Sequence, residues 1–390
     1  MFRKLLIAEI AVGCIGCAFL LFAAIANQTW FDRHFLPTFF ISRTSYVEMF
    51  MRGRVAIGLV GAIVLLIRKP LARVIINKPT IALSAFLAVV AAVGTSELIL
   101  RQRHLRAAEE VHAWIEPRRH LDERFGWLFV PSRVGYQKSA KLGVTEYAFD
   151  GHGYRVKSVD TPVDFSSPTV VFSGESMMVG ERLAWDDTIP AQTARMLGLQ
   201  SANIAVSGFA SDQAYMRLRS ELPRFQRPVA VVTLFAPGIF DRNLDDDRPH
   251  LGPHLQWQPP AGRWRLAALT RRIVHYRSDA TIERGIAVTR EVFAATAALA
   301  RARGAMPLIV VPQFGEELPK ERELRRRILD ETGVEYIWVQ LDPRWRVWED
   351  GHPDARAARV IASAIAARLR PISTRPDART STGSPLSPGR

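Results

Sequence analysis

The 390 residues carry 52 lysines and arginines against 38 acidic residues, a formal net charge of +14, and 48% of them are hydrophobic. That length supports one large domain or two smaller ones with a sizeable core. The basic excess does not make a nucleic-acid reader: the arginines are scattered, with no reader motif and no aromatic-basic interleaving, and anionic lipid headgroups near Arg101, Arg103 and Arg106 account for it more simply.

The first apolar block runs from Leu5 to Ala26, interrupted only by Glu9. It exceeds a secretory core in length and no small-x-small cleavage site follows, so an uncleaved spanning helix is predicted. Both cysteines, Cys14 and Cys17, lie in this block and read as small packing residues on one helix face. The rest of the chain therefore has no disulfide framework and no cysteine-based zinc site. The second block, Val55 to Ile67, reaches spanning length only by running back through Arg54 and Arg52 to Met49. The third, Ile81 to Leu100, is broken only by Glu97. Arg68, Lys69, Arg73 and Lys78, with no acid among them, place the connector between blocks two and three in the cytoplasm. Three spans then deliver everything after about residue 101 to the extracytoplasmic side of a bacterial inner membrane, whereas two would leave it in the cytoplasm. Residues 1–104 are read as the membrane region.

Residues 105–168 form a lead-in with aromatic pieces, "FGWLFVPS" and "YAFDGHGYRV", and turn signals at Asp150-Gly151 and Gly153 that suggest hairpins. From residue 169 to 370, apolar strands alternate with helices. Strands are expected at Thr169 to Ser173, Ala202 to Val206, Val229 to Phe235, Met306 to Pro312 and Glu335 to Val339. Helices are expected after Pro190, near Gln213 to Leu222, and over Ile286 to Arg303, Leu318 to Glu331 and Pro353 to Leu369. This is the pattern of an α/β domain with a doubly wound parallel sheet, flavodoxin-like in kind. An insertion from Leu244 to Ser278 carries three consecutive aspartates, Asp245 to Asp247, which read as a solvated loop and not as a metal site. The Pro-, Ser- and Thr-rich residues 371–390 read as a disordered tail.

In an open parallel sheet ligands bind beyond the carboxyl ends of the strands. Ser176 lies there, in "VVFSGESMMVG", and is either a nucleophile or the cap of the next helix. At the other end of the domain "WEDGHPDARAARV" sets Asp350 and His352 before the last helix, where each could equally be a turn former or an exposed residue. A serine nucleophile needs an imidazole to take its proton and a carboxylate to orient that imidazole. All three residue types are present at strand-to-helix junctions. Met177 and Met178 are expected to be core.

These blocks resemble the SGNH or GDSL hydrolase superfamily. "FSGESMMVGE" is similar to its nucleophile block with Glu175 for the usual Asp, "NIAVSGFASDQ" to its glycine block with Gly208, and "EDGHPDARAARVIA" to its terminal block with Asp350 and His352. The resemblance covers roughly residues 122–370 and implies an esterase working through an acyl-enzyme, with Ser176, His352 and Asp350 as triad and no metal or organic cofactor. Glu349 could orient the imidazole instead, but the Asp-Gly-His-Pro form points to Asp350. It also implies an oxyanion hole from the backbone of Ser176 and Gly208 and from an asparagine of the third block. That block reads "VVTLFAPGIFDRN", so Asn243 could serve only if its loop folds back. Losing one such donor costs roughly a hundredfold to a thousandfold in rate. The alternatives carried are an O-acyltransferase acting on an extracytoplasmic polysaccharide and a catalytically silent glycan-binding or assembly component. The substrate expected is an acylated small molecule, lipid or glycan, and polysaccharide-modification proteins are possible partners.

Overall fold

The computed structural model of the chain describes residues 2–36, 43–102, 118–139, 143–262, 276–348 and 351–373. The tail beyond residue 373, most of the lead-in before residue 118, and Glu349 and Asp350 lie outside the described residues. Two units are present, one built on residues 1–108 with 262–281 and the other on 109–261 with 282–390. The first unit thus takes in part of the insertion as well as the amino-terminal region.

Among the described residues of the first unit three helices are long and apolar enough to cross a membrane: α1 (Phe2–Ile25), α3 (Arg43–Leu66) and, over Pro79–Ile99, α5 (Pro79–Gln102). Two shorter helices, α2 (Gln28–His34) and α4 (Arg68–Asn77), lie between them in sequence. Side chains such as Leu21, Ile63 and Val89 stand 60%, 53% and 62% exposed, a surface suited to hydrocarbon and not to water. The second block is longer than its apolar core because α3 begins at Arg43. Its arginines are accommodated there: Arg54 Nε donates to the carbonyl of Ala23 on α1, and Arg52 sits 3.6 Å from Glu48 one turn away. Helices α1 and α3 cross at two glycines, where a Cβ on Gly61 would come within 2.9 Å of the Gly16 carbonyl. The packing residue is therefore Gly16, and Cys14 and Cys17 are exposed, contrary to the expectation that they pack.

The second unit is organised by one eight-stranded sheet. Its strands are β3 (Arg133–Ser139), β4 (Gly143–Phe149), β5 (Arg155–Val156), β6 (Thr169–Phe172), β7 (Gln200–Asn203), β8 (Pro228–Leu234), β11 (Met306–Phe314) and β12 (Tyr336–Leu341), in the order β12-β11-β8-β6-β7-β5-β4-β3. The hairpins β1 (Arg119–Asp122) with β2 (Gly126–Phe129) and β9 (His250–Leu251) with β10 (Trp257–Gln258) stand outside it. From β7 to β12 every pair is parallel. Counted along the chain those five strands follow the flavodoxin-like order 2-1-3-4-5, as expected, with the switch point between β6 and β8. Strands β6 and β8 are buried almost throughout, which is why they read as continuous apolar runs. The sheet is mixed, however: the lead-in supplies three antiparallel strands, joined at Arg155 opposite Asn203.

The helices of this unit are α6 (Ser176–Val179), α7 (Ile189–Leu197), α8 (Ser211–Glu221), α9 (Asp279–Ala302), α10 (Pro319–Ile328) and α11 (Ala355–Ser373). Met177 and Met178 are buried, as expected of core.

Candidate active site

Ser176 is the first residue of α6, directly beyond the carboxyl end of β6 and at the switch point. The chain reaches it through Gly174, at φ +153°, where a Cβ would meet that of Met178 at 3.2 Å. The capping position belongs to Glu175, which makes no side-chain cap, so the capping reading of Ser176 fails. Its hydroxyl instead lies 2.8 Å from His352 Nε2 and within donating distance, 2.6 Å, of Glu175 Oε2. The two residues are 176 positions apart, and they are 3% and 9% exposed. Gly351, at φ +74°, turns the chain into His352, whose carbonyl accepts the Val347 N–H at 2.6 Å.

Helix α6 is short, and the carbonyls at and just after its end are held by side chains. Arg155 Nη1 donates to Val179 and Gly180 and its Nη2 to Leu183, at 2.7, 2.7 and 2.6 Å, while Asn203 Nδ2 donates to Met178 at 3.0 Å. Burial lowers the pKa of Arg155 to about 10, against the attraction of Tyr147 and Glu181. Charge-assisted bonds of this kind are about twice as strong as neutral ones.

Glu181 forms a second buried layer. Burial alone would raise its pKa, but Arg118, His352 and a bond from the Ser207 hydroxyl outweigh that and hold it at about 2. Arg118 Nη2 lies 2.9 Å from Glu181 Oε1, and the Ser207 hydroxyl donates to Oε2 at 2.5 Å. Glu181 therefore stays ionised in this buried layer at neutral pH.

Gly208, at φ +82°, sits in a loop fixed by its carbonyls. Ser207 O accepts from Arg119 Nη1 at 2.6 Å and from Trp127 Nε1 at 2.9 Å, and Gly208 O accepts from Arg248 Nη1 at 2.7 Å. Both guanidinium groups lie 5.4 Å from the Trp127 ring centre. Burial lowers the pKa of Arg119 to about 9, with Glu181 opposing and the charges of Arg242 and Arg248 adding to the fall. Anchoring the Ser207–Gly208 peptide by its oxygen fixes where its N–H points, which is what a preorganised oxyanion donor requires.

Asn243 is spent elsewhere. Its Oδ1 accepts from the Ser211 N–H at 3.0 Å, and its Nδ2 donates to the hydroxyls of Ser211 and Thr289, so it secures the start of α8. From the same loop Arg242 Nη1 approaches Glu175 Oε2 at 3.4 Å, the oxygen that also meets the Ser176 hydroxyl. The three aspartates are not a solvated loop: Asp247 is buried, and Asp245 holds Arg248 at 2.8 Å, orienting it toward Gly208. Among the described residues no group of three or more His, Cys, Asp or Glu is placed to hold a metal ion.

Sequence reasoning thus named Ser176, His352 and Gly208, and missed Arg119, Trp127, Arg155, Glu181, Arg242 and Arg248. Trp127, Arg155, Glu181 and Arg242 lie inside "FGWLFVPS", "YAFDGHGYRV", "FSGESMMVGE" and "VVTLFAPGIFDRN", where their residue types alone gave them no role. Asp350 lies outside the described residues.

No protein-family model and no curated protein matches the sequence. Among solved structures, the chain is similar to the aryl esterase of M. smegmatis, at 15% identity over 53% of this chain and 100% of that one, with a TM-score of 0.35. It is also similar to a carbohydrate acetylesterase from Sinorhizobium meliloti, at 13% identity over 52% and 98% with a TM-score of 0.32. A GDSL-like lipase from Bacteroides thetaiotaomicron aligns at 16% identity over 52% and 88%, with a TM-score of 0.30.

Proposed function

We propose that this chain is a membrane-anchored ester hydrolase of the SGNH/GDSL type, acting through an acyl-enzyme. The observation that carries the reading is the 2.8 Å contact between Ser176 Oγ and His352 Nε2, buried at the carboxyl edge of a parallel sheet. In this mechanism Ser176 Oγ attacks the acyl carbonyl as Nε2 takes its proton. The negative oxygen of the tetrahedral intermediate is met by the backbone N–H groups of Ser176 and Gly208. The imidazolium returns the proton to the departing alcohol, and the acyl-enzyme is then hydrolysed by a water that His352 deprotonates. Asp350, two residues before His352, orients the imidazole.

Without a third-block asparagine the hole in this reading has two backbone donors, and the grip of Arg119, Trp127 and Arg248 on the carbonyls of Ser207 and Gly208 supports a fixed Gly208 N–H. The basic stretch Arg68 to Lys78 supports a cytoplasmic connector and an extracytoplasmic catalytic unit.

The test is release of p-nitrophenol from p-nitrophenyl acetate by the full-length protein in detergent. Ser176→Ala and His352→Ala should each lower kcat by about a thousandfold or more. Full activity in Ser176→Ala would remove the serine from the mechanism. Transfer of the acyl group to an added glycan faster than to water would reassign the same machinery as an acyltransferase.

A further inference from the structure

Helices α1 and α3 run antiparallel: Gly16 on α1 meets Gly61 and Leu65 on α3, whereas Ala23, further along α1, meets Gly58 and takes the bond from Arg54. The start of α1 therefore lies at the end where α3 gives way to α4, and α4 packs against α1 with Ala72 fully buried. This gathers Arg3 and Lys4 with Arg68, Lys69, Arg73 and Lys78 at one end of the helices, all of them exposed. No acid occurs in residues 1–8 or 67–80, and no acid among the described residues pairs with any of these cations. Elsewhere in this unit the pattern is different. Arg33 is paired with Asp279, Arg43 with Asp32, and Arg52 lies 3.6 Å from Glu48. The chain thus neutralises those cations with its own acids and leaves the end at α4 for an external anion.

Lys69, Arg73 and Asn77, spaced by four, share one side of α4, and Leu71, Val74 and Ile75 share another. Val74 is 44% and Ile75 36% exposed, so apolar surface stands open beside the cations. Helix α3 ends at Leu66 and α5 begins at Pro79, which on the spanning reading holds α4 by both ends where the helices leave the hydrocarbon. A nucleic acid or an acidic protein would cover the charges and leave Val74 and Ile75 bare. A phospholipid carries a phosphate and acyl chains on one molecule, at the depth where both are needed.

We propose that Arg3, Lys4, α4 and Lys78 form a binding surface for anionic phospholipid, with the headgroup phosphate held by the basic side chains and the acyl chains against Val74 and Ile75. The inference rests on the spanning reading of α1, α3 and α5 and is independent of the esterase chemistry.

The experiment titrates the full-length protein, in a neutral maltoside detergent, with dioleoyl phosphatidylglycerol and separately with dioleoyl phosphatidylcholine, and reads bound lipid by native mass spectrometry. The anionic lipid is expected to bind about tenfold tighter or more at low salt. That preference should vanish in the combined variant Arg68→Gln, Lys69→Gln, Arg73→Gln and Lys78→Gln, and in the unmutated protein at about 1 M NaCl. It should survive in Arg33→Gln with Arg43→Gln, whose cations already have acids. Equal binding of the two lipids, a preference untouched by salt or by the fourfold variant, or displacement of the lipid by a single-stranded oligonucleotide at equal phosphate concentration would overturn the proposal. The salt titration decides even where the fourfold variant fails to fold. Reconstitution into phosphatidylcholine vesicles tests the spanning reading by itself. A chain stripped from those vesicles by alkaline carbonate overturns that reading and this proposal with it, whereas a chain that stays inserted and shows no headgroup preference overturns the proposal alone.

Discussion

At the scale of single residues, the site depends on buried charges that hold backbone. Arg155 donates to three carbonyls behind Ser176, and removing it takes away the charged donor from each, while Gly180 and Val179 keep only the Leu183 N–H and the Asn203 amide. Arg155→Ala should therefore lower the stability of the catalytic unit by about 3 kcal/mol, read by urea unfolding, and reduce kcat with it. An unchanged midpoint would contradict that role. Glu181 makes a prediction in pH. Its folded pKa of about 2 lies below the ordinary 4.5, so its ionised form stabilises the folded state fully above pH 4.5, and this is lost as pH falls toward 2. Glu181→Gln should be less stable at neutral pH, with a gap from the unmutated protein that narrows across that window; a gap independent of pH would contradict the depression. Ser176 and His352 were legible in the sequence because each sits in a short block next to a strand or helix boundary. Arg155 and Glu181 were not, since a buried charge is recognisable only by its partners, and Tyr147, Arg118 and Ser207 come from distant segments.

Among the elements, the loop around Gly208 is held most tightly near the candidate site, its carbonyls bound by Arg119, Trp127 and Arg248. An added methyl there would be strained at φ +82° and would lie 3.2 Å from Trp127 Cζ2 and 3.3 Å from Arg119 Nη1. Gly208→Ala should cut kcat by roughly a hundredfold with little change in KM, as expected for a donor used in the transition state. A rise in KM alone would place Gly208 in substrate binding instead. The parallel strands were readable because β6, β8 and β11 are buried on both faces and so appear as unbroken apolar runs. The three antiparallel strands were not, because an alternating hairpin announces its own pairing but not the sheet it joins. That choice is made at one point, Arg155 opposite Asn203. Helix α3 was under-read for a related reason: charges at Arg52 and Arg54 interrupt the hydropathy, and the Ala23 carbonyl that takes up Arg54 belongs to another helix.

For the whole molecule, two units share one chain, one whose described residues include three helices long and apolar enough to cross a membrane, and one built on a mixed sheet that bears the candidate site. Close approach of α1 and α3 rests on Gly16 and Gly61, so Gly61→Leu should lower the thermal stability of the full-length protein in detergent; no change would mean that the crossing is not tight in solution. On the proposed topology of three spans with a basic cytoplasmic connector, an alkaline phosphatase reporter fused after residue 110 should be active, and an inactive one would reverse the orientation. All of this serves to bring a hydroxyl and an imidazole together from positions 176 residues apart in the chain. The most direct check is a fluorophosphonate probe on the full-length protein followed by mass spectrometry of the labelled peptide. The account predicts one covalent adduct, on Ser176, which disappears in His352→Ala. An adduct on another residue, or labelling of Ser176 that persists without His352, would contradict it.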